Sequence, residues 1–416
     1  MSNFLRWLPR LLSRRAPLPP RVYSNLDFER IPESHQVEEE RYPDYLAARY
    51  YPVRIGEVFA SRYQVVGKLG FGAFSTVWLA RDLNDHRHVA LKVFIRAQAM
   101  GSEADHELSM YRHMASMSKG SKHPGRDCVR TLSDSFKVTG PDGEHLCLVH
   151  PPLWDTVKDL IARNPIGRLP PVVLAAVLQQ LFLALDFMHT ECHLVHTDLK
   201  SDNVMFAFNN DSIFDDFEQE EMKHPCPRKE VEDGTRVIYT SRTLQASKSG
   251  VAPPILCDFG STVFGNKENT TDVQPNVYRA PEVILGIPWS YEIDMWNVGC
   301  MVSSLGPLFN GKDPEHQAYR GRAHIGSMIT LLGPPPAELV ARGRLSHKLF
   351  SEQGTYNAFI PLPSSVSLEE IETNLEGEDK KLFMQVMRKM LQWKPEDRST
   401  AKDMLQDPWI KGQLGT

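Results

Sequence analysis

The chain has no cysteine pair spaced for metal or disulfide chemistry. Cys128, Cys147, Cys192, Cys226, Cys257 and Cys300 stand singly, with no CxxC and no His/Cys cluster. This argues against a zinc site and fits a reduced cytosolic protein better than a disulfide scaffold. An excess of one charge is also missing. Lys+Arg total 47 and Asp+Glu 52, a net charge of -5, so nothing global requires nucleic acid or a membrane surface as partner. No apolar run reaches about 18 residues, so a transmembrane helix is not expected. No internal repeat is visible. Apolar residues are not scarce: 41% of 416 residues is enough for a large core, and about two domains or lobes are expected.

Acids are absent before Asp27. Arg6, Arg10, Arg14, Arg15 and Arg21 are interleaved with Phe4, Leu5, Trp7, Leu8, Leu11 and Leu12. Such a start reads either as a mitochondrial transit peptide or as a basic tail, and Pro9 interrupts the candidate helix. Cytoplasm or nucleus is the expected compartment, with import the alternative. Residues 1–54 lack sustained periodicity and read as a flexible extension in which Glu38-Glu39-Glu40 is solvated linker; order is expected near Ile55.

Strand character marks 62–69, 74–81 and 87–95, with Asn84 and Asp85 suited to the last turn. Residues 103–117 read as a helix. Leu146-Cys147-Leu148-Val149 reads as a buried strand, and helices dominate from 153 onward. Val172 to Met188 is apolar all round, as in a buried helix. Residues 208–252 are acidic and rich in Ser, Lys and Pro, with little apolar periodicity, and read as an insert or exposed loop. A final helix, Leu382 to Leu391, precedes a short tail. Strands first and helices after indicate a two-lobed α+β protein.

Gly70-Phe71-Gly72-Ala73-Phe74-Ser75-Thr76-Val77 lies between two strand-like segments. Glycines let backbone amides approach phosphates. Ser75 takes the place of a third glycine and a strand follows, which argues against a dinucleotide fold and for a glycine-rich hairpin. Lys92, in Val89-Ala90-Leu91-Lys92, is a lysine inside an apolar strand, and behind such a hairpin it reads as phosphate-binding; alone it would read as a snorkelling edge lysine. Val195-His196-Thr197-Asp198-Leu199-Lys200-Ser201-Asp202-Asn203-Val204 and Leu256-Cys257-Asp258-Phe259-Gly260 carry the remaining chemistry. Phosphoryl transfer needs a carboxylate to orient the attacking hydroxyl and ligands for a neutralising metal. Asp198, Lys200, Asn203 and Asp258 supply those types. Tyr278-Arg279-Ala280-Pro281-Glu282 and Asp294-Met295-Trp296 follow. Each piece alone is also what a turn or cap supplies; the ordered set is not.

Over roughly 55–412 the chain resembles the protein kinases, and within them the SR-protein kinases, fungal forms in particular. His196-Thr197-Asp198-Leu199-Lys200, Phe74-Ser75-Thr76-Val77-Trp78-Leu79 and the short approach to Tyr278-Arg279-Ala280-Pro281-Glu282 carry the resemblance. It implies a small β-rich lobe over about 55–152, a helical lobe over about 153–412, and ATP with Mg2+ as cofactors. Gly70 and Gly72 would cover the phosphates, and Val77 and Ala90 would join the nucleotide-binding set. Lys92 would contact the α- and β-phosphates and pair with a glutamate of the next helix; Glu107 is chosen for that partner, and Glu103, four residues earlier on the same face, is the competitor. Asp198 would be the catalytic base, Lys200 would steady the γ-phosphate, and Asn203 and Asp258 would hold magnesium. Glu282 would anchor Arg398, and Asp294 would brace the catalytic loop. If His150 is the gatekeeper, Pro151 offers a carbonyl and Leu153 an amide to adenine; the diproline also reads as a plain loop.

The resemblance further implies protein serines in an Arg/Ser-rich context as substrate, a monomer, and no direct nucleic-acid or membrane partner. Asp215, Asp216, Glu218, Glu220 and Glu221 would draw arginine-rich peptides, or else form a solvated loop. Thr197 replaces the arginine that usually pairs with an activation-segment phosphate, so dependence on that phosphate is not expected. The long spacer of many SR-protein kinases is not evident. A pseudokinase scaffold would lack Lys92, Asp198, Asn203 or Asp258, and none is missing; a proline-directed kinase of the same broad group is the other alternative.

Overall fold

A computed structural model describes residues 16–96, 103–208, 210–231, 234–244, 251–302, 308–364 and 366–416. The basic segment 4–15, with its import reading, lies outside the described residues. The chain divides into two compact units, as the two-lobed α+β reading requires, but each unit is discontinuous. The first takes the described residues of Met1–Gly101, Ser133–Pro152 and Asn210–Ser247, and the second takes Ser102–Leu132, Leu153–Asn209 and Lys248–Thr416. By contacts, the helix Glu103–Ser118 groups with the second unit, and Asn210–Ser247 of the insert with the first.

The first unit is built on an antiparallel sheet of β1 (Val58–Phe59), β2 (Tyr63–Gly72), β3 (Ser75–Asp82), β4 (Arg87–Phe94), β5 (Asp134–Gly140) and β6 (Gly143–His150). The strand order is β1-β2-β3-β4-β6-β5. Val65, Trp78, Ala80, Val89, Leu91, Val93, Cys147 and Val149 join one apolar cluster. The same cluster includes Val53 from the extension and Cys226, Val237 and Tyr239 from the insert.

The insert is thus no exposed loop. Ser212–Lys223 is a helix, and Arg228–Val231 pairs with Arg236–Tyr239 as an antiparallel hairpin. The helix buries Ile213, Phe214, Phe217, Glu218 and Glu221 on one face. Glu218 is fully covered and is met by the Tyr23 hydroxyl (2.7 Å), Arg21 (2.7 Å), His88 (3.4 Å) and Arg81 (3.7 Å). Burial raises its affinity for a proton, but those donors outweigh burial and hold the carboxyl below its ordinary range. Glu221 accepts from the Cys226 amide and from Arg242. Two of the five acids expected to draw substrate are therefore structural. β2 breaks register between Val65 and Gly67, and a Cβ on Gly67 would stand 2.8 Å from Phe217 Cε1, so only glycine lets helix and strand approach this closely.

The extension is likewise packed from Leu18 onward, where its amide donates to Leu83 O (2.8 Å). Gln64 binds the Arg21 backbone in both directions, at 2.8 and 2.7 Å. Lys68 is buried on Glu39 (2.5 Å) and Glu38 (3.0 Å), so the acidic run is no solvated linker but the counter-charge of a lysine in β2. A covered ammonium demands such partners. Order begins well before Ile55.

In the second unit the helix Pro171–Thr190 buries ten side chains, Val177, Leu178, Leu181, Phe182 and Phe187 among them. By length and composition it could cross a membrane, contrary to the expectation that no segment could; Gln179, Gln180 and Asp186 interrupt the run without lowering its mean hydropathy enough. Glu292–Met301, Gly321–Leu332 and Gly377–Met390 are further helices. The expected tail contains the helix Pro408–Leu414. Asp407 caps it at the Trp409 amide (2.8 Å), and the Trp409 indole is buried against Phe383 and donates to Asp379 (2.7 Å).

Candidate active site

Within the first unit, β2, β3 and β4 gather Gly70, Gly72, Val77, Ala90 and Lys92. Val77 lies opposite Lys92 across the β3–β4 pair, and Ala90 is buried opposite His150 of β6. The Lys92 ammonium stands 4.7 Å from the Phe94 ring centroid. Neither hairpin glycine is required by packing: a Cβ on Gly70 would meet nothing within 4 Å, and one on Gly72 only Ser75. Their missing side chains leave an open face over the strand turn, as a phosphate cradle needs. The hairpin tip is tied down by a residue that sequence reading passed over. The Tyr50 hydroxyl donates to Ala73 O (2.8 Å), with Gly72 O at 3.4 Å, and Tyr42 packs edge-on against Phe71. Pro151, exposed, is the next-to-last residue of the Ser133–Pro152 stretch of the first unit, and Leu153, buried, begins the Leu153–Asn209 stretch of the second.

In the second unit Asp198, Lys200 and Asn203 lie on one loop, and Asp258 lies just past the strand Val251–Leu256, whose partner strand Val204–Phe208 follows that loop. Asp198 is 22% exposed, enough to reach a substrate. Its Oδ2 accepts from Lys200 Nζ (2.7 Å) and Asn203 Nδ2 (3.0 Å), and Asn203 Nδ2 also donates to Asp198 O (2.8 Å). Among the described residues Oδ1 accepts no hydrogen bond. Thr197 has a left-handed backbone, φ 68°. Asp294 holds this turn: its Oδ2 accepts the His196 amide (2.8 Å), its Oδ1 the Thr197 amide (3.0 Å), and His189 Nε2 lies 2.9 Å from Oδ2. His189 carried no sequence signal; it lies on the last turn of the long helix.

Val204–Phe208 pairs with Val251–Leu256, which brings Asp258 beside the loop, and the Cys257 amide donates to Asn203 O (2.8 Å). His196 Nε2 bonds Cys257 O (3.0 Å). Asp258 is also left-handed, φ 66°. Glu107 is buried, whereas Glu103 is exposed. A Cβ on Gly260 would touch Glu107 Oε2 at 3.5 Å and Asp258 Oδ1 at 3.6 Å, so both carboxylates converge on that glycine. Tyr111, on the same helix, packs edge-on against Phe259. With its amide nitrogen turned to Asp198, Asn203 offers its carbonyl oxygen, and Asp258 offers carboxylate oxygens. Such hard donors suit Mg2+.

The segment after Asp258 is held by neutral side chains and by Arg279, which donates to Val273 O (3.1 Å) and Gln274 O (3.3 Å) and pairs with Asp272 (3.2 Å). The Thr197 hydroxyl donates to Ser261 O (2.7 Å), and His106 Nε2 lies 2.7 Å from Thr262 O. Gln274, at φ 73°, donates to Ile293 O and Asn297 Oδ1 and accepts the Ala280 amide. Glu282 and Arg398 form a fully buried bidentate pair at 2.6 and 2.7 Å. Neither Gln274 nor the Thr197 hydroxyl was singled out for this work from sequence, since a polar residue in a loop has no periodicity to betray its partner.

Comparison with known proteins places this geometry. The protein kinase domain family matches residues 63–410. A serine/threonine protein kinase of Aspergillus fumigatus is 41% identical over 406 residues, covering 96% of this chain and 97% of that one. Serine/threonine-protein kinase SRPK of Physarum polycephalum is 33% identical over 395 residues, covering 90% and 91%. Human SRSF protein kinase 3 is 24% identical over 520-odd residues of alignment, covering 91% of each. An ordered loop aspartate, a second aspartate beside it and a buried Glu–Arg anchor thus occur in a chain that belongs to the protein kinase family and is an ATP-dependent serine/threonine protein kinase.

Proposed function

We propose that the chain transfers the γ-phosphoryl group of Mg-ATP to protein serines flanked by arginine. The observation that carries the mechanism is the aspartate held by Lys200 and Asn203 through one oxygen only. Asp198 Oδ1 would take the hydroxyl hydrogen bond and orient the attack, and Lys200 would neutralise charge growing on the transferred group. Asn203 and Asp258 would hold the metal, which supplies charge neutralisation at the phosphates. Gly70, Gly72 and Lys92 would bind phosphates, Val77 and Ala90 the base, with the Pro151 carbonyl and Leu153 amide at its edge. Glu107, buried and turned to Gly260, fits the role of Lys92's family partner better than exposed Glu103.

Asp198→Asn should lower kcat by several orders of magnitude and leave nucleotide-induced thermal stabilisation largely intact. Asp258→Asn should lose that stabilisation as well. Robust transfer by Asp198→Asn would sink the mechanism.

The substrate class rests on relatives, one of which is by name a kinase of SRSF proteins. The insert acids support it less than the sequence suggested, because Glu218 and Glu221 are buried and occupied. A positional peptide array should show arginine beside the phosphoserine; enrichment of proline at the following position would move the chain to the proline-directed kinases.

A further inference from the structure

The second unit contains a cavity of about 390 Å3 that the phosphoryl-transfer chemistry does not use. Its walls include Ile161, Leu174, Val177, Phe383 and Trp409. Ligand pockets generally run from about 300 to 1,000 Å3, and a dry apolar cavity of about 150 Å3 already takes benzene. Ile166, a lining residue, is 66% exposed, so apolar surface continues to the opening. Water gains little in such a space, and an apolar body would displace it at a profit in free energy.

Two cations line the cavity, and they differ. The Lys158 ammonium is 2.7 Å from Asp202 and mostly in solvent. Arg168 is covered, its side chain 11% exposed, and its buried Nη1 makes no hydrogen bond among the described residues. Its nearest anion, Glu372 Oε1, stands at 3.7 Å and already accepts the amides of Asn374 (2.6 Å) and Leu375 (3.1 Å). Among the described residues Nη2 makes a long hydrogen bond to Thr373 Oγ1, 3.3 Å. A covered guanidinium with unmade hydrogen bonds is costly, and a carboxylate is the group its fork matches best.

We propose that this cavity binds an apolar monocarboxylate, its tail among Leu174, Phe383 and Trp409 and its carboxylate on Arg168. None of the residues assigned above to nucleotide or metal lines it, although Ser201 and Asp202, between Lys200 and Asn203, do. Its occupant is recognised by one anionic end and an otherwise hydrocarbon body.

The test uses the purified full-length chain and two probes of equal tail length, decanoate and 1-decanol, below micelle-forming concentrations. Calorimetry should give saturable one-to-one binding of decanoate, about tenfold tighter than decanol. Mg-ATP should not compete. Arg168→Met should bring decanoate to the level of decanol, and Leu174→Trp, which fills the cavity, should abolish both while phosphoryl transfer persists. Absence of saturable decanoate binding overturns the proposal, as does equal affinity for the two probes. Displacement of decanoate by an arginine-rich peptide also overturns it, because the cavity would then belong to the protein-substrate path. The wild-type comparison of probes stands even if a variant fails to fold.

Discussion

Tyr50 is a residue whose importance rests on one hydroxyl. Its ring is buried beside Tyr45, and its O–H closes on the carbonyl of Ala73 at the tip of the glycine-rich hairpin. A neutral hydrogen bond of this kind contributes about 1 kcal/mol, roughly fivefold in an equilibrium constant. Tyr50→Phe should therefore raise KM for ATP about fivefold with kcat nearly unchanged; an unchanged KM would show that the hairpin tip needs no brace. Gly67→Ala acts differently. The added methyl must displace the Phe217 ring, so unfolding by denaturant should show a loss of about 1–3 kcal/mol. The lysine, aspartates and asparagine of the site were legible from the chain because phosphoryl transfer demands those types in that order. Glu107 was preferred to Glu103 from sequence although the two share a helical face, and burial now separates them. Tyr50 and His189 were not legible at all, since each works through a contact far away in sequence.

Among elements, the insert helix is the largest departure from expectation. Its inward face runs Ile213, Phe214, Phe217, Glu218, Glu221, which is a helical period with carboxylates at two of its core places. Sequence reading counts apolar residues, and it saw a broken stripe. Glu218 is tolerated because arginines and a tyrosine from the extension and sheet meet it, and Glu221 because Arg242 and the Cys226 amide of the insert do. Phe217→Ala should cost about 3–5 kcal/mol and lower the melting temperature of the whole chain. Glu218 adds a pH signature. Its folded pKa is depressed, so its stabilisation is complete above the ordinary carboxylate range and is lost as pH falls through the folded value. The melting temperature of Glu218→Gln should consequently fall less steeply in acid than that of the wild type; parallel curves would remove the carboxylate from the account. The segment between Asp258 and Glu282 makes the converse point. Thr197, Gln274 and Asn297 hold it, and Arg279 is already engaged by Val273 O, Gln274 O and Asp272, so no phosphate is needed to complete these contacts. Phosphatase-treated protein should keep most of its activity, and near-complete loss on dephosphorylation would refute this reading.

For the molecule as a whole, a two-lobed α+β protein was readable from strands followed by helices, because local period is enough to tell the two apart. Which segments join which unit was not readable. That depends on pairings between residues a hundred or more positions apart, such as Lys68 with Tyr239 and Lys229 with Glu40. Lys68→Met with Glu39 left in place should destabilise the first unit by about 3–5 kcal/mol, since a buried carboxylate would lose its main partner. Replacing Lys68 and Glu39 together by Met and Leu should recover most of that loss, which a double-mutant cycle measures directly.

The same cluster that holds Phe59, Val65 and Cys147 also holds Cys226, Val237 and Tyr239. A ribosome delivers these pieces in order. At about 5–20 residues per second, the hairpin Arg228–Tyr239 follows β6 into the cell roughly 5–20 s late. During that interval the sheet is complete in strands but bare on the side that the hairpin covers. Nascent chains halted before residue 226 should be bound by chaperones and cut quickly by protease, and those halted well beyond residue 244 should resist. The growing chain therefore spends roughly a fifth of its synthesis time as a client of the folding machinery, and the length of the stretch 151–225 sets how long that dependence lasts.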